Sequence, residues 1–176
     1  TMDGTANMNG GIIGWSGETA TINNCLVIAN ITMDSYSSNI MGRNQVKAVN
    51  SYYLNPYGGT MDGATQVTQE QLLDGSIALA SNANKTHLNV AWRQDLGADI
   101  HPGVDPTHKI VYKKADGTYT NEVQNEIQKH EGTESDPYII NTAADMAMLR
   151  EFMVPGRVNY VQLGADIDMS EVTAWT

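Results

Sequence analysis

Apolar residues in this chain fall into short runs separated by polar turns, and two of the runs repeat. Gly11-Ile12-Ile13-Gly14 is matched by Asn39-Ile40-Met41-Gly42. Each is followed by a polar stretch and a second apolar run, Ala20 to Val27 in the first copy and Lys47 to Leu54 in the second. The offset of about 28 residues lies at the low end of the periods that mark stacked architectures. Neither unit can bury an apolar face alone, whereas two stacked units can. The pattern predicts a β-solenoid with Ile13, Ile22 and Val27 pointing inward and with corners at Gly14 and Gly42. Asn23 and Asn50 hold matching places, which suits an amide ladder along the stack or a turn role; a ligand-contacting pair is the alternative.

After the turn cluster Asn55 to Gly59 the period changes. Thr68-Gln69-Glu70-Gln71 has the form of a capping box. Leu72, Leu73, Ile77, Leu79 and Ala80 then give one apolar side over about three helical turns, ending at Asn82-Ala83-Asn84. This predicts a helix closing the open end of the solenoid, where bare strand edges would invite aggregation. Lys109 to Tyr112 and Thr118 to Thr120, joined by Asp116-Gly117, predict a hairpin. From Asn121 to Glu134 the pattern fails, and a linker or variable loop is expected. A new unit follows: a strand over Tyr138-Ile139-Ile140, then a helix started by Thr142, with Asp145 as an acidic N3 residue and with Met146, Leu149, Phe152 and Met153 at helical spacing. Pro155-Gly156 stops that helix, and a strand from Tyr160 runs toward Asp166-Ile167-Asp168.

Several of these segments resemble the GLUG-type repeats of large bacterial surface proteins, including adhesin-like proteins of Bacteroidetes. Gly10 to Trp15 with Ile22 to Cys25 carry the first repeat. Ser51 to Asn55 and the helix from Thr68 are similar to the end of such a block, and Trp92 to Gly97 with Pro102 continue it. Gly132 to Ile140 is similar to the opening of a fresh block, and Asp166 to Ser170 fits the same pattern. The second repeat departs by having Asn39 for glycine and Arg43 in place of Trp15. The resemblance implies a right-handed parallel β-helix, export and a structural or adhesive role. The expected architecture is therefore mainly β with short helices. Residues 1–57 form terminal coils, 58–106 a helical cap and loop region, 107–131 a hairpin and linker, and 132–176 the start of a second block. With no initiator Met at Thr1 and no closing signal at Thr176, the chain reads as an internal stretch of a longer polypeptide.

Composition narrows the function. The net charge of −10 disfavours nucleic acid, which needs a basic surface, and anionic membranes. The single cysteine, Cys25, excludes an internal disulfide and thiolate metal clusters; in its apolar run it reads as a buried small hydrophobe. Scarce cysteine is compatible with secretion or a bacterial cell surface. No phosphate-cradling glycine loop or nucleophile elbow is present, and His87, His101, His108 and His130 match no standard metal spacing. The chain is expected not to be an enzyme.

The binding candidates are few. Trp15, Tyr53, Tyr57 and Trp92 are candidates for an aromatic sugar platform, and Tyr52 and Tyr53 must face opposite ways on a strand. Asp166 and Asp168 alternate on the expected strand, roughly 7 Å apart between Cα atoms. They are candidates for a calcium site, for a hydrolytic pair or for charges that protect a strand edge. Asp95, Asp99 and Asp105 form a second, looser acidic set. No resident cofactor is expected apart from possible calcium. The expected partners are neighbouring repeats of the same polypeptide, possible end-to-end copies, and host or microbial glycans or proteins. A carbohydrate-binding module, or a fragment of a polysaccharide-acting enzyme, is the alternative to a structural or adhesive module.

Overall fold

The computed structural model describes residues 2–4, 11–29, 31–33, 42–55, 63–83, 85 and 89–170. Trp15 lies in a strand, but its side chain is outside the described set, and Tyr57 is outside it altogether.

The two repeated runs do pair. β1 (Met2–Gly4) lies parallel to β4 (Ile31–Met33), and β2 (Ile13–Asn23) parallel to β5 (Gly42–Val49). β3 (Leu26–Val27), β6 (Tyr52–Tyr53) and β7 (Thr65–Gln66) form a three-stranded parallel sheet. Gly14 is no corner: it is the extra residue in β2 between the pairs Ile13–Gly42 and Trp15–Arg43, a bulge of the kind glycine tolerates. The expected Asn23–Asn50 amide ladder does not form; a single amide pair stands one residue away. Asn23 pairs with Val49, while Asn50 Nδ2 donates to Asn24 Oδ1 at 2.6 Å and to the carbonyl of Ala80 at 3.0 Å. Asn24 and Asn50 both adopt positive φ, 53° and 46°, which asparagine tolerates better than other non-glycine residues.

The right-handed parallel β-helix is not found. The sheets are small and separate, of two or three strands each, and among the described residues none closes or winds into a solenoid. Pairing needs only two compatible runs, whereas a solenoid needs every side of every coil to find the next. Here the third run is just the exposed Thr65-Gln66, and the chain then leaves through a helix cap.

Adjacent residues of the three-stranded sheet serve two cores. Val27 and Tyr53 join Ile22 and Val46 on one side. On the other, Leu26, Ile28, Tyr52 and Leu54 pack against Val67, Leu72 and Ile77. The helical region therefore covers a sheet face instead of a solenoid end. It is also two helices, α1 (Gln69–Leu73) and α2 (Ser76–Ser81). The Thr68–Gln71 capping box forms as expected. The break falls at Gly75, whose φ is +93°, and a Cβ there would lie 2.8 Å from Val111 Cγ1.

Carboxamides fix the region after α2. Asn82 accepts from the amides of Ala91 and Trp92 and donates to the carbonyls of Ala78 and Trp92. Gln94, fully buried, donates to the Leu72 carbonyl at 2.7 Å. Asn121 donates to the carbonyls of Gln94 and Ile110 and accepts from Leu96. The predicted hairpin is present in shortened form as β8 (Tyr112–Lys113) and β9 (Tyr119–Thr120), antiparallel.

The stretch expected to be a linker contributes to a third core. Residues Glu126–Lys129 make a 3-10 turn, and Ile127 is fully buried with Tyr138, Ile140 and Phe152. That core belongs to a strand–helix–strand unit. β10 (Tyr138–Ile140) and β11 (Val161–Leu163) are parallel and joined through α3 (Ala143–Phe152). Thr142 and Asp145 form the α3 capping box.

Candidate functional site

Two places draw polar side chains together, and neither stands out as a single motif in the sequence. The first is a cleft of about 540 Å³ where α2, the β8–β9 hairpin and α3 meet. Its inner wall is apolar: Leu79, Ala80, Val90, Ile110, Val111 and Phe152. Lys85, Lys113 and Glu151 are exposed at its edge, with Tyr112 and Tyr119 beside them. Among the described residues, neither lysine has a carboxylate within ion-pair distance; the lysines that do are Lys114 and Lys129. Burial pushes the Tyr112 phenol above its ordinary value, and the Arg93 charge opposes part of that shift. The phenol therefore stays protonated and remains a donor through neutral pH.

The second is a loop cluster. The backbone of Arg93 and Gly103 pairs in both directions, and Gln94 N–H donates to the Lys109 carbonyl. These bonds draw distant residues together, so that Asp95, Asp99 and His108 each place a ligand-capable atom within 4.8 Å of the others. Such a nitrogen and oxygen set suits a transition-metal dication better than calcium, which takes oxygen ligands. The three side chains are already engaged, however. His108 Nδ1 donates to Asp99 Oδ2 at 2.7 Å, the same oxygen accepts from Asp95 N–H at 2.6 Å, and Asp95 Oδ1 accepts from Lys109 N–H at 2.9 Å. The cluster reads as a clamp on the loop. Asp105 stands apart and caps Thr107.

The clamp carries a pH signature. The hydrogen bond to Asp99, helped by the charges of Asp99, Asp95 and Asp105, raises His108 above its ordinary value against some desolvation. The Asp95 amide, followed by His108, lowers Asp99. A raised histidine stabilises fully below its unfolded pKa, about 6.5, and that contribution fades as pH rises through the folded value. A lowered aspartate stabilises fully above about 3.9, and loses this as pH falls through the folded value. The loop is therefore expected to be tightest between about pH 4 and 6.5. Amide exchange at Asp95 and Lys109 across pH should show slowest opening in that window. His108→Gln should remove the alkaline limb, and an unchanged limb would refute the clamp.

The sequence-derived candidates are dispersed. Tyr53 is buried at 5% exposure and faces the core, while Tyr52 is the partly exposed neighbour. Trp92 is partly exposed and its backbone is held at both N–H and C=O by Asn82. Asp166 and Asp168 lie beyond the end of β11 and are exposed, flanking Ile167, which packs toward the third core. Asp168 Oδ1 accepts from Ser170 N–H at 2.9 Å, and the Ser170 backbone and hydroxyl hold its carboxyl below the usual value. Cys25 is partly buried, and desolvation raises its thiol.

No family model, no curated protein and no solved structure matches this chain. The described residues contain no helix long and apolar enough to cross a membrane.

Proposed function

We propose that the chain is a non-catalytic structural or adhesive module of a larger secreted or cell-surface repeat protein. The observation that carries this reading is the set of polar bonds between the repeated runs. Asn50 bonds Asn24, Ser51 Oγ accepts from Cys25 N–H, and Asn55 donates to the Ile28 carbonyl. Side chains in matching positions are thus used to tie one run to the next, and the tie continues into the helices through Ala80. Such lateral bonds stiffen a chain against extension without needing a reacting centre. The GLUG-type resemblance supports an exported surface protein with neighbouring repeats as partners, and the sparse cysteine and acidic composition are compatible with it. A glycan-binding role is the second reading, supported by the partial exposure of Trp92.

The test pulls the whole chain from its two ends in a force spectrometer. Asn50→Ala should lower the unfolding force and cost about 2 kcal/mol, combining lost hydrogen bonds with an alanine forced to positive φ. Asn50→Gly removes the amide but relieves the backbone, so its smaller loss isolates the amide bonds. Equal forces in all three chains would remove the mechanical argument. Release of reducing ends from a polysaccharide panel would overturn the non-catalytic reading.

A further inference from the structure

We propose that the cleft between α2, the β8–β9 hairpin and α3 binds small amphipathic monoanions, an apolar chain or ring system carrying one carboxylate. The inference goes beyond the structural role and does not depend on it. A cleft of about 540 Å³ lies within the usual range of small-molecule sites, roughly 300–1,000 Å³. Leu79, Val90, Ile110, Val111 and Phe152 make its wall mostly apolar, and of the polar lining residues Ser76 Oγ already donates to the Gln71 carbonyl and the Asn82 amide is engaged with Ala78, Ala91 and Trp92. A neutral sugar would bury hydroxyl groups against that wall without partners, which is unfavourable; a hydrocarbon body would not.

The edge selects the head group. In a chain of net charge −10, this cleft carries two lysines, Lys85 and Lys113, without carboxylate partners among the described residues. Lysine stems lie along apolar surface while the ammonium stays in water. Two ammonium groups at the mouth thus meet a carboxylate without leaving solvent, in charge-assisted hydrogen bonds. The protonated Tyr112 phenol is a neutral donor among the lining residues. Glu151 is the remaining charge at the edge. It repels a second anionic group and so favours monoanions over dianions.

The experiment titrates the whole chain with decanoate, decylammonium and decanedioate, each below its aggregation threshold. Calorimetry reads affinity and NMR reads shifts at Ile110, Val111 and Phe152. Decanoate should bind with shifts at those residues, and decylammonium should not. Lys85→Glu with Lys113→Glu should weaken decanoate by roughly ten-fold or more. Both lysines are exposed, so the melting curve should be retained, which separates lost binding from lost fold. Glu151→Gln should narrow the gap between decanoate and decanedioate. No decanoate binding, equal binding of both head groups, or shifts confined to other residues would each overturn the proposal.

Discussion

Gly132→Ala should destabilise the protein by about 4 kcal/mol, more than a typical surface change by an order of magnitude. Two independent costs meet at this position. Gly132 has φ +66°, where a side chain adds about 1–2 kcal/mol. A Cβ there would also fall on the Tyr138 ring, with Cζ at 2.5 Å and Cδ2 at 2.6 Å. The ring has nowhere to go. Tyr138 is fully buried, its hydroxyl donates to the Phe152 carbonyl at 2.7 Å, and its ring meets Phe152 edge-on at 6.3 Å. Moving it would disturb the contact between β10 and the end of α3. The Gly132 carbonyl further accepts from Tyr160 N–H at 3.0 Å, so the backbone is held beside β11 as well. Gly117→Ala is the control. Its φ is +87° and a Cβ would meet nothing within 4 Å, so it should show only the backbone cost, about 1 kcal/mol. Urea denaturation of both variants decides the matter. Equal losses would mean that the Tyr138 contact contributes nothing.

Local chemistry was the legible part of this fold. The capping boxes at Thr68 and Thr142, the turn at Gly117 and the strand at Tyr138 each depend on residues within four positions of one another. The parallel pairing of the two repeated runs was also readable from their similar spacing, although the register shifts between Ile13 and Trp15 and again between Ser16 and Ala20. What the repeat could not fix was how many runs join. That depends on the partner each edge meets, and among the described residues the sheets stay at two or three strands, so no β-helix forms. The asparagine pair lies one residue from the expected place because the irregularity between Ser16 and Ala20 shifts the register, which sets Asn24 rather than Asn23 beside Asn50. Gly75 lay within an apolar helical pattern, and the residues a Cβ there would strike, Val111, Leu96 and Tyr119, come from segments far along the chain.

The candidate sites were less legible for the same reason. Asp95 and Asp99 were visible as an acidic set. His108 joins them only because backbone bonds between residues 93 and 103 and between 94 and 109 fold the loop. The cleft draws on α2, the hairpin and α3 together, so no window of sequence contains it. Trp15 and Tyr57 fall outside the described residues, and Tyr53 was placed by its strand alternation, with its ring directed into the core.

Ile127 shows how a single apolar residue can be decisive where no period announces it. Ile127→Ala should cost about 3–4 kcal/mol, within the range for deleting a fully buried branched side chain and leaving a cavity. The third core has four buried members, Ile127, Tyr138, Ile140 and Phe152, with Met146, Met148, Leu149 and Ile167 partly buried against them, so partial collapse of these side chains keeps the cost below the top of that range. Ile127 is also what holds its 3-10 turn against β10. Its other ties are polar and outside the core: Gln128 Oε1 accepts from the amides of Gln124 and Asn125, and Lys129 pairs with Glu126 at 2.6 Å. Losing the anchor should speed amide exchange at Gln128 and His130, whose N–H groups bond within the turn, before the sheet opens. Ile127→Val should cost about 1 kcal/mol. Val123→Ala, four positions earlier and exposed, should stay within about 0.5 kcal/mol of the parent. If Ile127→Ala behaves like Val123→Ala, residues 121–131 are the passive linker their composition suggests. If the cost and the exchange appear together, the segment is a structural part of the strand–helix–strand unit, and its Gln128 reaches the cleft from a fixed position.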